Sequence, residues 1–189
     1  ARAVLARAEF EGAKVTGERS LNLASFDEVN RTAHMARDRK VSATPPQTLP
    51  WSRSGDAGLV DGIIGSIDYR GGDWRMVEGT DLEATVDLGT PANVRTVRLG
   101  FLLRPASAIL LPTAIQLFSS MDGVNYRPAA TARPVEPSRT DGPTRIVVDL
   151  DAGPALARFL RLKAVNPGKC PEGRECAGSP ARLAVDEIV

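Results

Sequence analysis

The residues best suited to bind a ligand lie between positions 59 and 75. Asp61 and Gly62 predict a tight turn, the hydroxyl of Ser66 follows shortly after, and Trp74 is an aromatic anchor eight residues further on. A tight turn can direct a carboxylate and neighbouring carbonyl oxygens toward one point, and Ca²⁺ binds through clusters of such oxygen atoms. These residues alone leave an alternative open, which is an ordinary turn with a solvated aspartate.

The loop 69–75 combines two features of a carbohydrate site, because it contains both aromatic and cationic side chains. A flat ring binds the apolar face of a sugar, and guanidinium groups donate hydrogen bonds to sugar oxygens. Other loops are expected to converge on it, although a solvated rim is the alternative for the arginines. The predicted ligand-binding residues are Trp51, Arg70, Trp74, Arg75, Glu78 and Arg104.

Catalysis has little support in the sequence. Glu78 and Asp81 are a conceivable acid and base, because glycosidases use two carboxylates at a defined separation. With 23 acidic residues in the chain, however, such pairs arise by chance. A catalytic triad would require His34, the only histidine, which lies in a predicted linker. We therefore expect this chain to be no enzyme by itself.

Length and charge exclude several classes of partner. The 189 residues fit a single domain, and 42% of them are hydrophobic, which is enough for a sizeable core. The 24 Lys and Arg residues nearly balance the 23 Asp and Glu, so no basic field attracts nucleic acid or an anionic membrane. Apolar runs such as 106–111 are far shorter than the ~20 residues that span a bilayer. Frequent alanine and arginine indicate a bacterial source.

The two cysteines, Cys170 and Cys176, lie close together in the sequence. Their spacing is unlike that of a zinc knuckle, and no second pair completes four ligands. A local disulfide fits the spacing better than two unrelated thiols, which is the alternative. A disulfide predicts an oxidising compartment, extracellular or periplasmic.

The chain divides into three predicted regions. Residues 1–24 alternate as a β-hairpin does, although a helix is possible for 1–9. We interpret them as the tail of an upstream domain; packing on the main domain or pairing with another chain are the alternatives. Residues 25–54 are polar and rich in proline, which predicts a linker. Residues 55–189 show an all-β pattern, in which short alternating segments are separated by Asp-Gly, Gly-Pro and similar turns. The predicted strands are 82–88, 94–101, 113–119, 126–133, 144–150, 157–165 and 182–189.

Several short motifs occur in one order along the region 55–189. Each is unspecific alone, but their joint order and spacing are distinctive. The motifs are Asp61-Gly62 with Ser66 and Trp74, then Asp87-Leu88-Gly89, then Ser120-Met121-Asp122-Gly123-Val124-Asn125-Tyr126, then Ala157-Arg158-Phe159-Leu160-Arg161, and finally Glu187-Ile188.

In these motifs the chain resembles the discoidin family, also called the coagulation-factor type C domain, which includes family 32 carbohydrate-binding modules. The segments 61–66, 68–70, 78–83, 100–102 and 111–112, together with Trp74, further resemble the C-terminal discoidin-type domain of some bacterial family 20 glycoside hydrolases, which are β-N-acetylhexosaminidases. The resemblance implies a jelly-roll β-sandwich, all-β in class. It also implies that Trp74 and Phe101 are largely buried.

The resemblance further implies one structural Ca²⁺ ion. Asp61 and Ser66 match the spacing of the family's metal loop, Glu187 matches its C-terminal ligand, and Val60 offers a backbone carbonyl.

For function, the resemblance implies a non-catalytic module that binds N-acetylhexosamine or galactose-type glycans. Such a module would belong to a secreted glycoside hydrolase and contact its catalytic domain. The alternative is an accessory domain that mediates protein contacts without sugar binding. Sparse aromatic residues, 5% of the chain, and the apolar loop 106–111 favour this alternative.

Overall fold

The alternation predicted from Leu82 onward forms the start of a long strand in the computed structural model, which describes residues 31–47, 54–138 and 142–189. The predicted hairpin 1–24 lies outside the described residues. The chain folds as an antiparallel β-sandwich, as predicted. Its strands are β1 (Lys40–Thr44), β2 (Arg75–Glu78), β3 (Leu82–Leu103), β4 (Ala114–Ser120), β5 (Arg127–Ala132), β6 (Thr144–Val165) and β7 (Arg182–Ile188).

Two strands of 22 residues, β3 and β6, connect the two layers of the sandwich. They pair with each other from Leu82 opposite Ala164 to Leu103 opposite Thr144, with irregularities near residues 88–91 and 95. The first half of β3 also pairs with β1, and the second half of β6 pairs with β4, which in turn pairs with β5. At the other end, β3 pairs with β7, and β7 pairs with β2.

The core lies between the layers and follows the two-residue period of the strands. In β3, Leu82, Ala84, Val86 and Leu88 are buried, and the residues between them are half-buried. Successive side chains of a strand point to opposite faces, so this pattern places one face of β3 in the core. Phe101 is fully buried in the same cluster, which confirms its predicted place.

The strand β7 is buried on both of its faces. Leu183 and Val185 belong to the main core, whereas Ala184 between them belongs to a second, smaller cluster. This second cluster contains Trp74, so the tryptophan is a core residue, with no exposed surface. The other members of the second cluster are Tyr69, Met76, Leu102 and Ile109.

Part of the predicted linker belongs to the sandwich, which corrects the predicted range 25–54. Residues 40–44 form β1, and each pairs with a residue of β3 between Glu83 and Asp87. A 3₁₀ helix, Gly55–Leu59, follows, and the carboxylate of Asp56 accepts a hydrogen bond of 2.8 Å from the amide of Ala43. The polar composition of this stretch concealed a short edge strand.

The apolar loop 106–111 is not an exposed patch, contrary to one expectation above. Ala108 to Leu111 are all buried, after a 3₁₀ turn at Pro105–Ser107. Ala108 and Leu110 pack against Cys170 and Cys176, which form the predicted disulfide. None of the helices in the described part of the chain is long and apolar enough to cross a membrane.

Candidate functional site

Two arginines from different loops meet at one aromatic ring. The guanidinium carbon of Arg70 lies 4.9 Å from the centroid of the Tyr69 ring, and that of Arg104 lies 5.4 Å from it. Both distances are within the range of a cation–π interaction. The predicted convergence of Arg104 on the loop 69–75 is therefore present in the structure.

Local backbone contacts hold both arginines in place. Arg70 lies in a 3₁₀ turn, Tyr69–Gly71, and its amide donates a hydrogen bond of 3.1 Å to the carboxylate of Asp68 at the start of the turn. Arg104 follows the end of β3, where its amide donates to the carbonyl of Ile109 at 2.8 Å. The two guanidinium groups therefore project from anchored backbone rather than from a free loop.

The chemistry of this cluster is that of a hydrogen-bond donor surface. Arg70 is exposed, Arg104 is half-buried, and Tyr69 is buried beneath them. Among the described residues, neither guanidinium is paired with a carboxylate, so their N–H groups remain available to a ligand. The ring of Tyr69 is covered by these groups and does not offer the flat stacking face that the sequence suggested.

Two other predicted ligand-binding residues are buried, which removes them from this surface. Trp74 has no exposed surface, and its indole N–H donates a hydrogen bond of 2.8 Å to the carbonyl of Ser66. Arg75 is 1% exposed, and its guanidinium binds Asp56 at 2.9 Å, Gln47 at 2.6 Å and the carbonyl of Pro45. Arg75 therefore fastens the segment before Trp51 to β2 instead of contacting a glycan.

The remaining predicted ligand-binding residues have different outcomes. Glu78, at the end of β2, is partly exposed and accepts a hydrogen bond of 3.3 Å from Arg182. Arg182 also donates to the carbonyl of Ser107, so Glu78 is connected to the loop that follows Arg104. Trp51 lies outside the described residues, and its role stays a prediction.

The predicted calcium loop, residues 60–66, is attached to the end of β7 by two carboxylates. Glu187 accepts a hydrogen bond of 2.6 Å from the amide of Gly62, and Asp186 accepts one of 2.5 Å from the amide of Gly65. Consecutive residues of a regular strand face opposite ways, so both could not reach one loop from such a strand. A β-bulge resolves this, because Asp186 pairs with Gly100 and Ile188 with Leu99, which leaves Glu187 unpaired at a φ of 24°.

Two of the oxygen atoms predicted to bind calcium lie beside N–H groups of the chain or the imidazole of His34. The carbonyl of Val60 accepts from the amide of Asp38 at 2.8 Å, and the second carboxylate oxygen of Glu187 lies 2.8 Å from Nε2 of His34. Ser66 donates its hydroxyl to the carbonyl of Asp68 at 3.2 Å. In this arrangement the residues do not fit a calcium ion, which requires six to eight oxygen ligands.

The acid groups near this loop do not form a recognisable metal site. Within residues 31–47, 54–138 and 142–189, no three His, Cys, Asp or Glu side chains are grouped as a metal site requires. Burial raises the pKa of Glu187, the hydrogen bond from His34 opposes the rise, and the neighbouring Asp61 adds to it. Calcium binding at this loop therefore stays a prediction, and the geometry argues against it. The predicted ligands are Asp61, Ser66, Glu187 and Val60.

Asp186 is a structural residue that the sequence analysis missed. It has no exposed surface and forms a two-point contact with Arg145, both distances being 3.1 Å. Burial raises the pKa of Asp186, and the hydrogen bond and charge of Arg145 oppose that rise. The side chains of Arg145 and Asp186 lie against Gly100 of β3. A Cβ atom at this position would collide with both of them, so the position requires glycine.

Solved structures of other proteins share this architecture. No protein-family profile matches the chain, and no curated protein matches it. Among solved structures, it is similar to chitosan-binding module 1 of a chitosanase/glucanase from Paenibacillus sp. IK-5. The TM-score is 0.50 at 16% identity, over 82% of this chain and 98% of that chain. The chain shares the fold of that module.

A lectin supports the same conclusion about the fold. The fucolectin from the serum of the striped bass, Morone saxatilis, matches with a TM-score of 0.50 and 12% identity, over 82% of this chain. The match spans 46% of the lectin's own length. At these identities the similarity concerns the fold alone, and at that level the predicted resemblance to discoidin-type sandwiches is confirmed.

Proposed function

We propose that this chain is a non-catalytic carbohydrate-binding module. The observation that supports the proposal is the meeting of Arg70 and Arg104 at the ring of Tyr69, on a surface built by two anchored loops. Guanidinium groups without carboxylate partners donate hydrogen bonds to the hydroxyl and carbonyl oxygens of a glycan. The fold is also that of a module described as chitosan-binding and of a fucolectin.

The finer parts of the proposal follow from the sequence motifs. The glycan is of the N-acetylhexosamine or galactose type, and the parent protein is a bacterial glycoside hydrolase similar to the β-N-acetylhexosaminidases. The module contacts the catalytic domain of that enzyme. The Cys170–Cys176 disulfide supports an extracellular or periplasmic location, because disulfides persist in oxidising compartments.

Calorimetric titration with N-acetylglucosamine and galactose sugars tests the binding function. Loss of one hydrogen bond from a charged donor costs about 1.5–3 kcal/mol, so Arg70→Ala and Arg104→Ala should each weaken binding about tenfold to a hundredfold. Arg98→Ala is the matched control, because Arg98 is an exposed arginine that pairs with Asp149 elsewhere on β3 and β6. No binding to any glycan at millimolar concentration would contradict the proposal.

An accessory domain that binds protein is the second candidate, and one observation favours it. Ile63, Ile64 and Ile67 are 37%, 53% and 59% exposed, so three large apolar side chains lie close together on one loop. Exposed apolar groups of this kind suit a protein interface better than a glycan. Ile64→Ser with Ile67→Ser should then weaken association with the catalytic domain of the parent protein and leave glycan binding unchanged.

A further inference from the structure

The segment 32–38 binds the predicted metal loop, residues 60–66, at two points and contacts β7 at a third. The amide of Thr32 donates to the carbonyl of Gly62 at 2.8 Å, and the amide of Asp38 donates to the carbonyl of Val60 at 2.8 Å. Between them, Nε2 of His34 lies 2.8 Å from Glu187. Both of these side chains are almost completely buried, with 3% and 1% exposed, so the contact is shielded from solvent.

Each of the two buried acids near the end of β7 has a nitrogen group of the chain beside it. Asp61, Asp186 and Glu187 lie near one another, and a buried carboxylate without a partner is costly. Asp186 has the guanidinium of Arg145, whereas Glu187 has the imidazole of His34. In a metal-binding loop, a divalent cation would lie beside such carboxylates and would bind carbonyl oxygens of the loop.

The segment 32–38 also has an apolar anchor that is independent of these polar contacts. Ala36 is 4% exposed and belongs to the main core. Together with Met35 it lines a small cavity of about 30 Å³ against Leu88, Val97 and Ile188. The segment is therefore packed onto the sandwich.

We propose that His34 and the amide groups of residues 32–38 take the place of the divalent cation that the family resemblance implies. The loop 60–66 is then closed on β7 by the chain itself, and the folded domain requires no metal ion. The amides of Thr32 and Asp38 bind the carbonyl oxygens of Gly62 and Val60, and Nε2 of His34 lies 2.8 Å from the second carboxylate oxygen of Glu187. This inference is independent of the glycan-binding proposal, because it concerns how the loop is held.

Thermal unfolding of the whole chain in EDTA and in millimolar Ca²⁺ tests the proposal, together with calorimetric titration of Ca²⁺. We expect the same midpoint in both solutions and no binding heat. A ligand of the folded state raises the midpoint by mass action, so a rise with Ca²⁺ that Asp61→Ala abolishes would overturn the proposal. This measurement uses the unsubstituted protein and decides the question even if variants fail to fold.

Variants of the segment provide a second test. His34→Ala should lower the midpoint by about 5 °C or more, because it leaves the carboxylate of Glu187 buried without its partner. Adding Glu187→Gln to His34→Ala should recover part of the loss, since the unpaired charge is then removed. Ala33→Ser is the control, because Ala33 is exposed on the same segment. Equal effects of His34→Ala and Ala33→Ser would refute the role assigned to His34.

Discussion

Replacing Arg145 by methionine should lower the free energy of unfolding of this domain more than replacing an exposed arginine does. Arg145 is the partner of Asp186, whose side chain has no exposed surface. Methionine preserves much of the aliphatic stem of Arg145 but removes the guanidinium. Asp186 then keeps its hydrogen bond from Gly65 and loses its only cationic partner among the described residues.

The size of the loss follows from burial. Breaking a buried ion pair by removing one partner costs about 3–5 kcal/mol, because the other charge stays desolvated. The side chain of Arg145 is 23% exposed, which places this pair toward the lower end, at about 3 kcal/mol. Since domains are stabilised by about 5–15 kcal/mol in total, such a loss is easily measured.

Urea denaturation at neutral pH measures this loss of unfolding free energy, with Arg98→Met as the matched control. Arg98 contacts Asp149 through the same two-point geometry, at 2.7 and 2.9 Å, but the side chains are 56% and 48% exposed. The control should therefore lose little stability, because exposed ion pairs are screened by solvent. Adding Asp186→Asn to Arg145→Met should restore part of the stability. Equal losses in the two arginine variants would refute the argument from burial.

Three further predictions concern packing, ionisation and the disulfide. Gly65→Ala should cost about 1–3 kcal/mol, because its Cβ would lie 2.5 Å from the buried ring of Trp74; unchanged urea midpoints would contradict this. The hydrogen bond from Arg158 lowers the pKa of Asp87 to about 2, so this pair should stabilise the fold above about pH 4 and stop doing so as the pH falls toward 2. NMR titration of Arg158→Ala should show the pKa of Asp87 closer to its ordinary value, and an unshifted titration would exclude the pair as the cause. Reducing the disulfide should cost about 2 kcal/mol in the chain-entropy model, and mass spectrometry of the unreduced protein should detect no alkylatable thiol.

The strands could be predicted because their signal is local. Alternation over 82–88 and the neighbouring predicted segments reflects one face turned toward the core, and this pattern needs no knowledge of distant residues. Two pairs of predicted strands proved to be single strands, β3 and β6. The turn signals between them, near Gly89 and Gly153, mark irregular points where the long strands continue, because each half has a partner that holds it extended.

The short edge strands could not be predicted in the same way. β1 contains only five residues and lies in polar, proline-rich sequence, and β2 contains only four. Their alignment comes from partners far along the chain, since β1 pairs with β3 and β2 pairs with β7. A window of a few residues does not contain that information.

Only part of the candidate glycan site could be predicted, because contacts with distant residues decide which arginines are buried. Arg70 and Arg104 could be named because both lie on loops and neither requires a carboxylate partner to be placed there. Arg75 was assigned to the same surface because its neighbours in sequence are polar or aromatic. Its actual partners are Asp56 and Gln47, which lie 19 and 28 residues earlier, so its burial depends on a fold that composition does not reveal.

The loop 60–66 shows the limit of motif spacing most clearly. Asp61 and Ser66 have the spacing of a metal loop, but the charge that the loop requires depends on groups that approach it from elsewhere. Gly62 meets Glu187 across 125 residues, and His34 reaches the same carboxylate from a stretch whose composition indicates a linker. Because a carboxylate can be neutralised by a metal ion or by a side chain of the same protein, the motif predicts the acids and not their partner. We therefore expect folding to be independent of calcium wherever a buried histidine contacts the glutamate that such a loop meets, as His34 contacts Glu187 here.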